Sequence, residues 1–166
     1  MKSSGGFARA CVFAGVVVMA AGMAACSKKP KSQANLGDPG QVVPGTPGEF
    51  TAVVGDRVLF TTDSSQLTAQ AQTTLRGQAR WLARYPAYTM TVEGHADERG
   101  TREYNIALGA RRATSVRSYL SGLGINPGRL RTISYGKERP VAVCNDISCW
   151  SQNRRSVTAL DSRPGS

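Results

Sequence analysis

The sequence has a single histidine, His95, and this shortage limits the chemistry that the chain can perform. A zinc site needs three or four ligands, and His95 with the nearby Asp97 supplies only two. A dyad of these two residues has no obvious nucleophile beside it, and the cysteines lie far away in sequence. We therefore expect no enzymatic activity, no metal and no cofactor. We expect His95 to be structural, as a hydrogen-bond partner of a neighbouring loop.

The sequence also lacks a comfortable membrane span. The uncharged apolar run Cys11–Ala25 is too short to cross a bilayer easily, and Lys2 and Arg9 precede it. A short apolar run behind positive charges is typical of a secretory signal peptide. A buried N-terminal core helix is the alternative, but the run shows no amphipathic face. Residues 1–25 are therefore predicted to be a signal peptide.

The run ends in MAAC, and Cys26 is its last residue. This ending resembles the lipobox of bacterial lipoproteins, in which the cysteine is lipidated and becomes the first mature residue. Ser27 follows where inner-membrane lipoproteins carry aspartate, so the resemblance implies an outer-membrane anchor with the domain facing the periplasm. An ordinary signal cleavage would instead leave Cys26 as a free thiol, which is a liability in an oxidising compartment.

Acidic residues are scarce, at 11 against 21 basic residues, and the formal net charge is +10. Removal of residues 1–25 takes away only Lys2 and Arg9, so the mature chain stays strongly basic. In a cytosolic protein this balance would suggest nucleic acid. An exported protein meets anionic lipid, acidic wall polymers and acidic partners instead, so we expect no nucleic-acid partner.

Large apolar residues are few between Ser27 and Glu49, a stretch that holds half of the eight prolines. Such a composition predicts a linker without packed structure. Residues 26–49 are therefore interpreted as the lipidated cysteine and its tether, and residues 50–166 as one folded domain.

Apolar periodicity predicts a domain of alternating strands and helices. Period-two or short apolar runs indicate strands, and apolar residues three or four apart indicate helices, the second with Thr101 as N-cap. The predicted strands are Arg57–Phe60, Tyr88–Glu93, Leu130–Tyr135 and Arg155–Leu160, and the predicted helices are Leu67–Arg84 and Arg102–Ser121. Strands separated by helices favour a sheet with parallel pairs and helices on one face.

The segment GHADERG places an acidic loop between a strand and the second helix. Gly94 and Gly100 would allow tight turns around it. On the helix, Asn105, Leu108 and Arg112 share one face because they lie three and seven residues apart.

Asp97 could thus accept a hydrogen bond from an ammonium group while Arg112 grips a carboxylate, an arrangement that suits a zwitterionic ligand. Replacing either residue by alanine should then weaken binding without preventing folding. An internal ion pair between Asp97 and Arg112, or a solvated face carrying Arg111 and Arg112, remains open as the alternative.

Three segments together, VEGHADERGTREYNIALGARRATSVRSYL, ISYGKERP and SQNRR, resemble the OmpA C-terminal-like domain family and its peptidoglycan-associated lipoproteins. The resemblance implies an α+β fold, a small α/β sandwich with about four strands in a mixed sheet and helices on one face. It also implies non-covalent binding of peptidoglycan through the diaminopimelate of its stem peptide, docking of the protein TolB, and a part in a Tol-Pal system that supports envelope integrity and cell division.

The same resemblance assigns site residues. Asp97 and Arg112 correspond to the family's key aspartate and arginine, and Asn105 and Leu108 lie in the matching helix motif. Phe60 corresponds to the first-strand phenylalanine, but Thr61 stands where the family commonly has a pocket aspartate. Thr61 can form hydrogen bonds but supplies no charge, so affinity or ligand choice would differ.

Cys144 and Cys149 enclose four residues in CNDISC. In an exported protein this spacing predicts a disulfide, and two ligands of an incomplete metal site are the alternative. So short a loop would give about 2 to 3 kcal/mol, enough to fix the loop but not the whole fold.

Overall fold

The computed structural model describes residues 42–161. The predicted signal peptide, Cys26 and residues 27–41 of the predicted linker lie outside this range. The helices within it are α1 (Pro47–Glu49), α2 (Ala69–Arg84), α3 (Arg102–Gly122) and α4 (Ile147–Asn153). The strands are β1 (Arg57–Leu59), β2 (Met90–His95), β3 (Leu130–Gly136) and β4 (Arg155–Leu160), with a π-helical turn at Phe50–Gly55 and a 3₁₀ turn at Pro127–Arg129. In this part of the chain, no helix combines the length and apolar character that a membrane crossing requires.

Threonine side chains fix where the two long helices begin. The hydroxyl of Thr68 accepts a hydrogen bond from the Ala71 N–H, and Thr101 does the same for Tyr104. Each side chain therefore satisfies one of the backbone N–H groups that a helix start leaves without a partner. The prediction of Thr101 as N-cap is confirmed, whereas α2 begins after its cap and not at the predicted Leu67.

The four strands form one mixed sheet in the order β1-β4-β2-β3. Only β2 and β3 run parallel, and α3 supplies the crossover between them. β4 lies between β1 and β2 and is antiparallel to both, so the sheet has one of the parallel pairs that the alternation of strands and helices favours. The predicted α+β class with a mixed sheet is confirmed.

One hydrophobic core lies between the sheet and the two long helices. Every second residue of β2 is buried there, as Met90 and Val92. The helices bury one side each, and the residues concerned are Ala71, Leu75, Ala79, Trp81 and Leu82 from α2 and Ala113, Val116 and Leu120 from α3. Both helices therefore cover the same face of the sheet.

The packed chain begins before residue 50, where the domain boundary was predicted. Glu49 accepts hydrogen bonds from the indole of Trp81 and the N–H of Gly45, both at 2.7 Å. Phe50 is buried with its ring 5.0 Å from that of Trp81. The last five residues of the predicted linker, 45–49, thus belong to the folded domain, because one carboxylate fastens them to α2.

Two glycines bring α3 unusually close to the sheet. A Cβ added at Gly94 in β2 would lie 1.9 Å from the carbonyl oxygen of Gly109, and one added at Gly109 would lie 2.4 Å from the Ser134 hydroxyl. No real side chain fits either space. Gly94 was predicted to serve a turn, but it lies within a strand and permits this contact. The contact fixes α3 relative to the end of β2, where the pocket described below opens.

Sequence periodicity missed α4, which is only seven residues long. Asp146 caps it by accepting a hydrogen bond from Ser148 N–H at 2.7 Å. Asn153 at its end accepts from the N–H groups of Val141 and Ala142, at 2.9 and 3.2 Å, and thereby holds the preceding loop. The aspartate cap is the sequence signal that could have revealed this helix.

Candidate functional site

A pocket of about 250 Å³ opens where the loop after β2 meets the start of α3 and the loop after β1. Its wall carries charges of both signs, and we call it the charged pocket. It is lined by Thr62, Asp63, Asp97, Arg99, Gly100, Tyr104, Asn105, Leu108 and Arg112. Two carboxylates and two guanidinium groups thus surround a space large enough for an amino-acid side chain.

Asp97 lies in the pocket wall with both carboxylate oxygens engaged. Arg99 donates to it from Nη2 at 2.7 Å, from Nε at 3.2 Å and from its backbone N–H at 3.3 Å. Arg154 donates from Nη1 at 3.3 Å. Burial by itself would raise the pKa of Asp97, but these hydrogen bonds outweigh it and hold the pKa below the ordinary value. Asp97 is therefore ionised at neutral pH.

Arg112 is fully buried, and its guanidinium binds three backbone carbonyls. Nη1 donates to His95 at 2.7 Å, Nε to Ser64 at 2.8 Å and Nη2 to Thr61 at 3.1 Å. The side chain therefore ties α3 to the end of β2 and to the loop after β1. Burial lowers the pKa of Arg112 to about 10, so the group stays charged at neutral pH. Three of its five N–H groups are used in these bonds.

Four of the predicted site residues, Asp97, Asn105, Leu108 and Arg112, come together in the charged pocket. Asn105 donates to the carbonyl of Arg99 at 2.7 Å and holds the loop that carries Asp97. Leu108 is buried and adds an apolar floor. The shared helix face that the spacing predicted thus has its counterpart in the structure.

Phe60 and Thr61 do not line the charged pocket. The buried ring of Phe60 lies 5.2 Å from the guanidinium carbon of Arg112 and supports it from behind. Thr61 contributes its carbonyl to Arg112 instead of its side chain to a ligand. The prediction that Thr61 faces a ligand therefore needs correction: the first-strand loop presents Thr62 and Asp63 to the pocket.

Asp63 supplies the carboxylate that Thr61 lacks. Its backbone has a positive φ of 53°, which turns the residue out of the strand direction. Its carboxylate accepts a hydrogen bond from the hydroxyl of Tyr104, at the first turn of α3. Although Thr61 supplies no charge, the pocket therefore has a second acidic group, Asp63, two positions further along the chain.

The internal ion pair considered from the sequence takes a different form. Asp97 pairs with Arg99 and Arg154, and Arg112 is not among its hydrogen-bonding partners in residues 42–161. The sequence pattern assigns no role to Arg99 or Arg154. Arg99 lies in the motif GHADERG and Arg154 in the motif SQNRR. The spacing of residues along the sequence could not show that the chain just before β4 brings Arg154 beside the end of β2.

His95 is buried at the end of β2 and does not line the pocket. Its ring lies 5.5 Å from that of Tyr135 and within 3.4 Å of the Glu93 carboxylate and the Arg155 guanidinium. Burial, followed by the charges of Arg155 and Arg139, lowers the pKa of His95 to about 4. Its ring is neutral at physiological pH, and its backbone carbonyl accepts a hydrogen bond from Arg112.

The loop before α4 and the first turn of this helix contain a disulfide and exposed apolar side chains. The structure joins Cys144 to Cys149. Val143 is 89% exposed, and Val141 and Ile147 are also largely exposed. No cluster of three or more possible metal ligands is found in the part of the chain that the structure describes.

Comparison with known proteins gives consistent matches. Residues 59–154 match the OmpA family. A peptidoglycan-associated lipoprotein of Agrobacterium fabrum is 57% identical over 149 residues, which cover 87% of this chain and 84% of the relative. One from Rhizobium meliloti is 59% identical over 148 residues with the same coverage.

A solved structure gives the same picture for the fold. The peptidoglycan-associated lipoprotein from Burkholderia pseudomallei has a TM-score of 0.64 and 38% identity, and the match covers 67% of this chain and 96% of that one.

Proposed function

Because this chain belongs to the OmpA family and, within it, to the peptidoglycan-associated lipoproteins, we propose that it binds the cell wall non-covalently and fastens the outer membrane to it. The wall ligand is the diaminopimelate of the peptidoglycan stem peptide. The membrane anchor is lipid attached to Cys26. The chain acts as a tether within a Tol-Pal system and breaks no bond in the wall.

The charged pocket is the observation that carries this proposal. Diaminopimelate presents an ammonium group and a carboxylate at the end of one side chain. The pocket offers Asp97 and Asp63 to the ammonium group, and the buried charge of Arg112 to the carboxylate. Hydrogen bonds in which both partners are charged are about twice as strong as neutral ones, and a shielded pocket strengthens them further.

The lining of the pocket also fits binding better than catalysis. Neither His95 nor a cysteine contributes to it. Arg112 is held by three carbonyls and Asp97 by two arginines, so both groups stay ionised at neutral pH and neither is poised to transfer a proton. Rigid opposite charges can orient a zwitterion without reacting with it.

A second function, docking of the partner protein TolB, is supported by the exposed segment 141–149, which consists of the loop before α4 and the first turn of that helix. Val141, Val143 and Ile147 present apolar surface, and the disulfide between Cys144 and Cys149 limits the freedom of the loop. Apolar side chains on a loop of restricted freedom suit a protein partner better than a charged wall polymer. The residues that line the surface at this segment differ from those of the charged pocket, although the two surfaces adjoin at Glu98 and Arg99.

Incubation of the purified protein with isolated sacculi separates the candidate functions. Tethering predicts that the protein sediments with the sacculi and that no soluble muropeptides appear. Release of fragments would instead identify a hydrolase. If the protein stays in solution and no fragment is released, wall binding is refuted and the protein-docking function remains.

A further inference from the structure

The acceptor sites of Asp97 are all occupied before any ligand arrives. A carboxylate offers about four lone-pair sites. On Oδ1 two are taken by the Arg99 backbone N–H and Nε, and on Oδ2 two are taken by Arg99 Nη2 and Arg154 Nη1. An ammonium group can therefore reach Asp97 only if one of these donors leaves.

Exposure shows which donor is able to leave. The side chain of Arg154 is 7% exposed and also donates through Nε to the carbonyl of Phe60 at 3.1 Å. The side chain of Arg99 is 42% exposed. Moving Arg154 would leave a buried carbonyl without its partner, whereas Arg99 can turn into solvent at small cost.

The loop that carries Arg99 does not need this side chain for its shape. Asn105 holds the loop through the Arg99 carbonyl, and Lys137 donates to the carbonyls of Glu98 and Gly100 at 3.1 and 2.7 Å. Gly100 has a φ of 84°, a conformation that favours glycine. The backbone can thus stay in place while the side chain moves.

We propose that Arg99 occupies the ammonium subsite of the charged pocket in the free protein and must swing away from Asp97 for the ligand to bind. Arg99 then competes with the ligand from within the chain and lowers the affinity of the site. This inference rests on the proposed function and concerns how that site admits its ligand.

The competition lowers the affinity for every ligand that brings an ammonium group, and the preference for a zwitterion comes from Arg112. Any ammonium group must displace Arg99 before it can reach Asp97. A stem peptide that contains lysine brings no side-chain carboxylate for Arg112, so it must overcome the same competitor with fewer contacts. Diaminopimelate gains both contacts at once, but the cost of displacing Arg99 is the same for the two peptides and leaves the ratio of their affinities unchanged.

Trp150 provides a signal for the movement. In the free protein the Arg99 guanidinium carbon lies 4.2 Å from the centre of the Trp150 ring, and the indole N–H of Trp150 binds Glu98. Displacement of Arg99 should change the fluorescence of this partly exposed ring. The second tryptophan, Trp81, is buried in the core and should not respond.

The test is calorimetric titration of the full-length protein with a diaminopimelate stem tripeptide and with its lysine counterpart. The variants are Arg99→Gln and, as the matched control, Arg102→Gln, whose side chain is 67% exposed and pairs with Glu138 outside the pocket. Removing an exposed competing ion pair should tighten tripeptide binding by about three- to tenfold in Arg99→Gln and leave Arg102→Gln unchanged. The preference over the lysine peptide should stay the same, because both peptides displace Arg99. Ligand-induced fluorescence change should occur in the wild type and disappear in Trp150→Phe.

Each other outcome is decisive. Weaker binding by Arg99→Gln would mean that Arg99 grips the ligand, and equal binding would mean that it does not compete; both overturn the inference while the proposed function stands. If the wild type fails to bind but Arg99→Gln binds, self-competition is stronger than proposed. If neither binds, the proposed function and the inference fall together.

Discussion

Arg112 should be needed for folding as well as for binding, and Arg112→Ala tests this most sharply. The side chain is fully buried and satisfies the carbonyls of Thr61, Ser64 and His95. Alanine would remove all three hydrogen bonds and leave an empty space between α3 and the sheet. The expectation from sequence that folding survives this change is therefore replaced by a prediction of marked destabilisation.

The magnitude follows from the three carbonyls. A buried polar group left without a partner costs about 1–3 kcal/mol. The bond to His95 is buried, so its full cost applies, whereas water can reach the other two carbonyls and reduce theirs. Alanine also removes the cost of desolvating the guanidinium group on folding, which offsets part of the loss. We expect a net decrease of about 3 kcal/mol in the free energy of unfolding, a large share of the roughly 5–15 kcal/mol typical of a domain.

Urea unfolding followed by circular dichroism measures this difference. Arg111→Ala is the matched control, because Arg111 is the exposed neighbour on the same helix turn and should change stability by less than about 0.5 kcal/mol. Arg112→Lys should be destabilised nearly as much as alanine, since an ammonium cannot reach three carbonyls placed around a planar guanidinium. If Arg112→Ala unfolds within about 1 kcal/mol of the wild type, the structural role assigned to Arg112 is wrong.

Three further substitutions have defined outcomes. Gly109→Ala should lower the free energy of unfolding by about 1–3 kcal/mol because its Cβ would lie 2.4 Å from the Ser134 hydroxyl and 2.8 Å from the Gly94 carbonyl oxygen. Gly122→Ala, whose Cβ meets nothing within 4 Å, should be neutral or stabilising, and equal urea midpoints for the two variants would contradict the close contact. The pKa of His95 is about 4 in the folded protein, against 6.5 for a free histidine in the unfolded chain. Below pH 6.5 the unfolded chain therefore binds a proton that the folded protein does not bind. The free energy of unfolding should fall by about 3 kcal/mol as the pH drops from above 6.5 to 4. His95→Gln should remove this fall, and a wild-type unfolding free energy that stays constant from pH 7 to 4 would refute the buried neutral ring. Cys26→Ala should abolish incorporation of labelled fatty acid and release the protein from membranes, and label on that variant would exclude Cys26 as the anchor.

The secondary structure was largely predictable because its signals are local. The alternation in β2 and the capped periodic pattern of α3 follow from the burial of one face, which sequence records directly. The position of β4 between β1 and β2 was not predictable in this way. Strand order depends on which edges meet after the helices have packed, and no local pattern encodes that choice.

The residues of the site were predictable, but their hydrogen-bonding partners were not. Helical spacing placed Asn105, Leu108 and Arg112 on one face, and the structure brings them to Asp97. Spacing could not show that Arg112 donates three hydrogen bonds to backbone carbonyls, because those carbonyls come from two distant segments. For the same reason Arg154, which lies 57 residues from Asp97, could not be assigned as its partner.

The central claim is that the charged pocket binds a zwitterion, and the most direct measurement compares wild type with Asp97→Asn in calorimetric titration against the diaminopimelate stem tripeptide. Asparagine keeps the size of the side chain but removes its charge, so a melting temperature close to that of the wild type would show that the fold is retained. We predict a loss of about 1.5–3 kcal/mol in binding free energy, the scale of a charge-assisted hydrogen bond in a shielded site. Equal affinity of the two folded proteins for the tripeptide would contradict the claim.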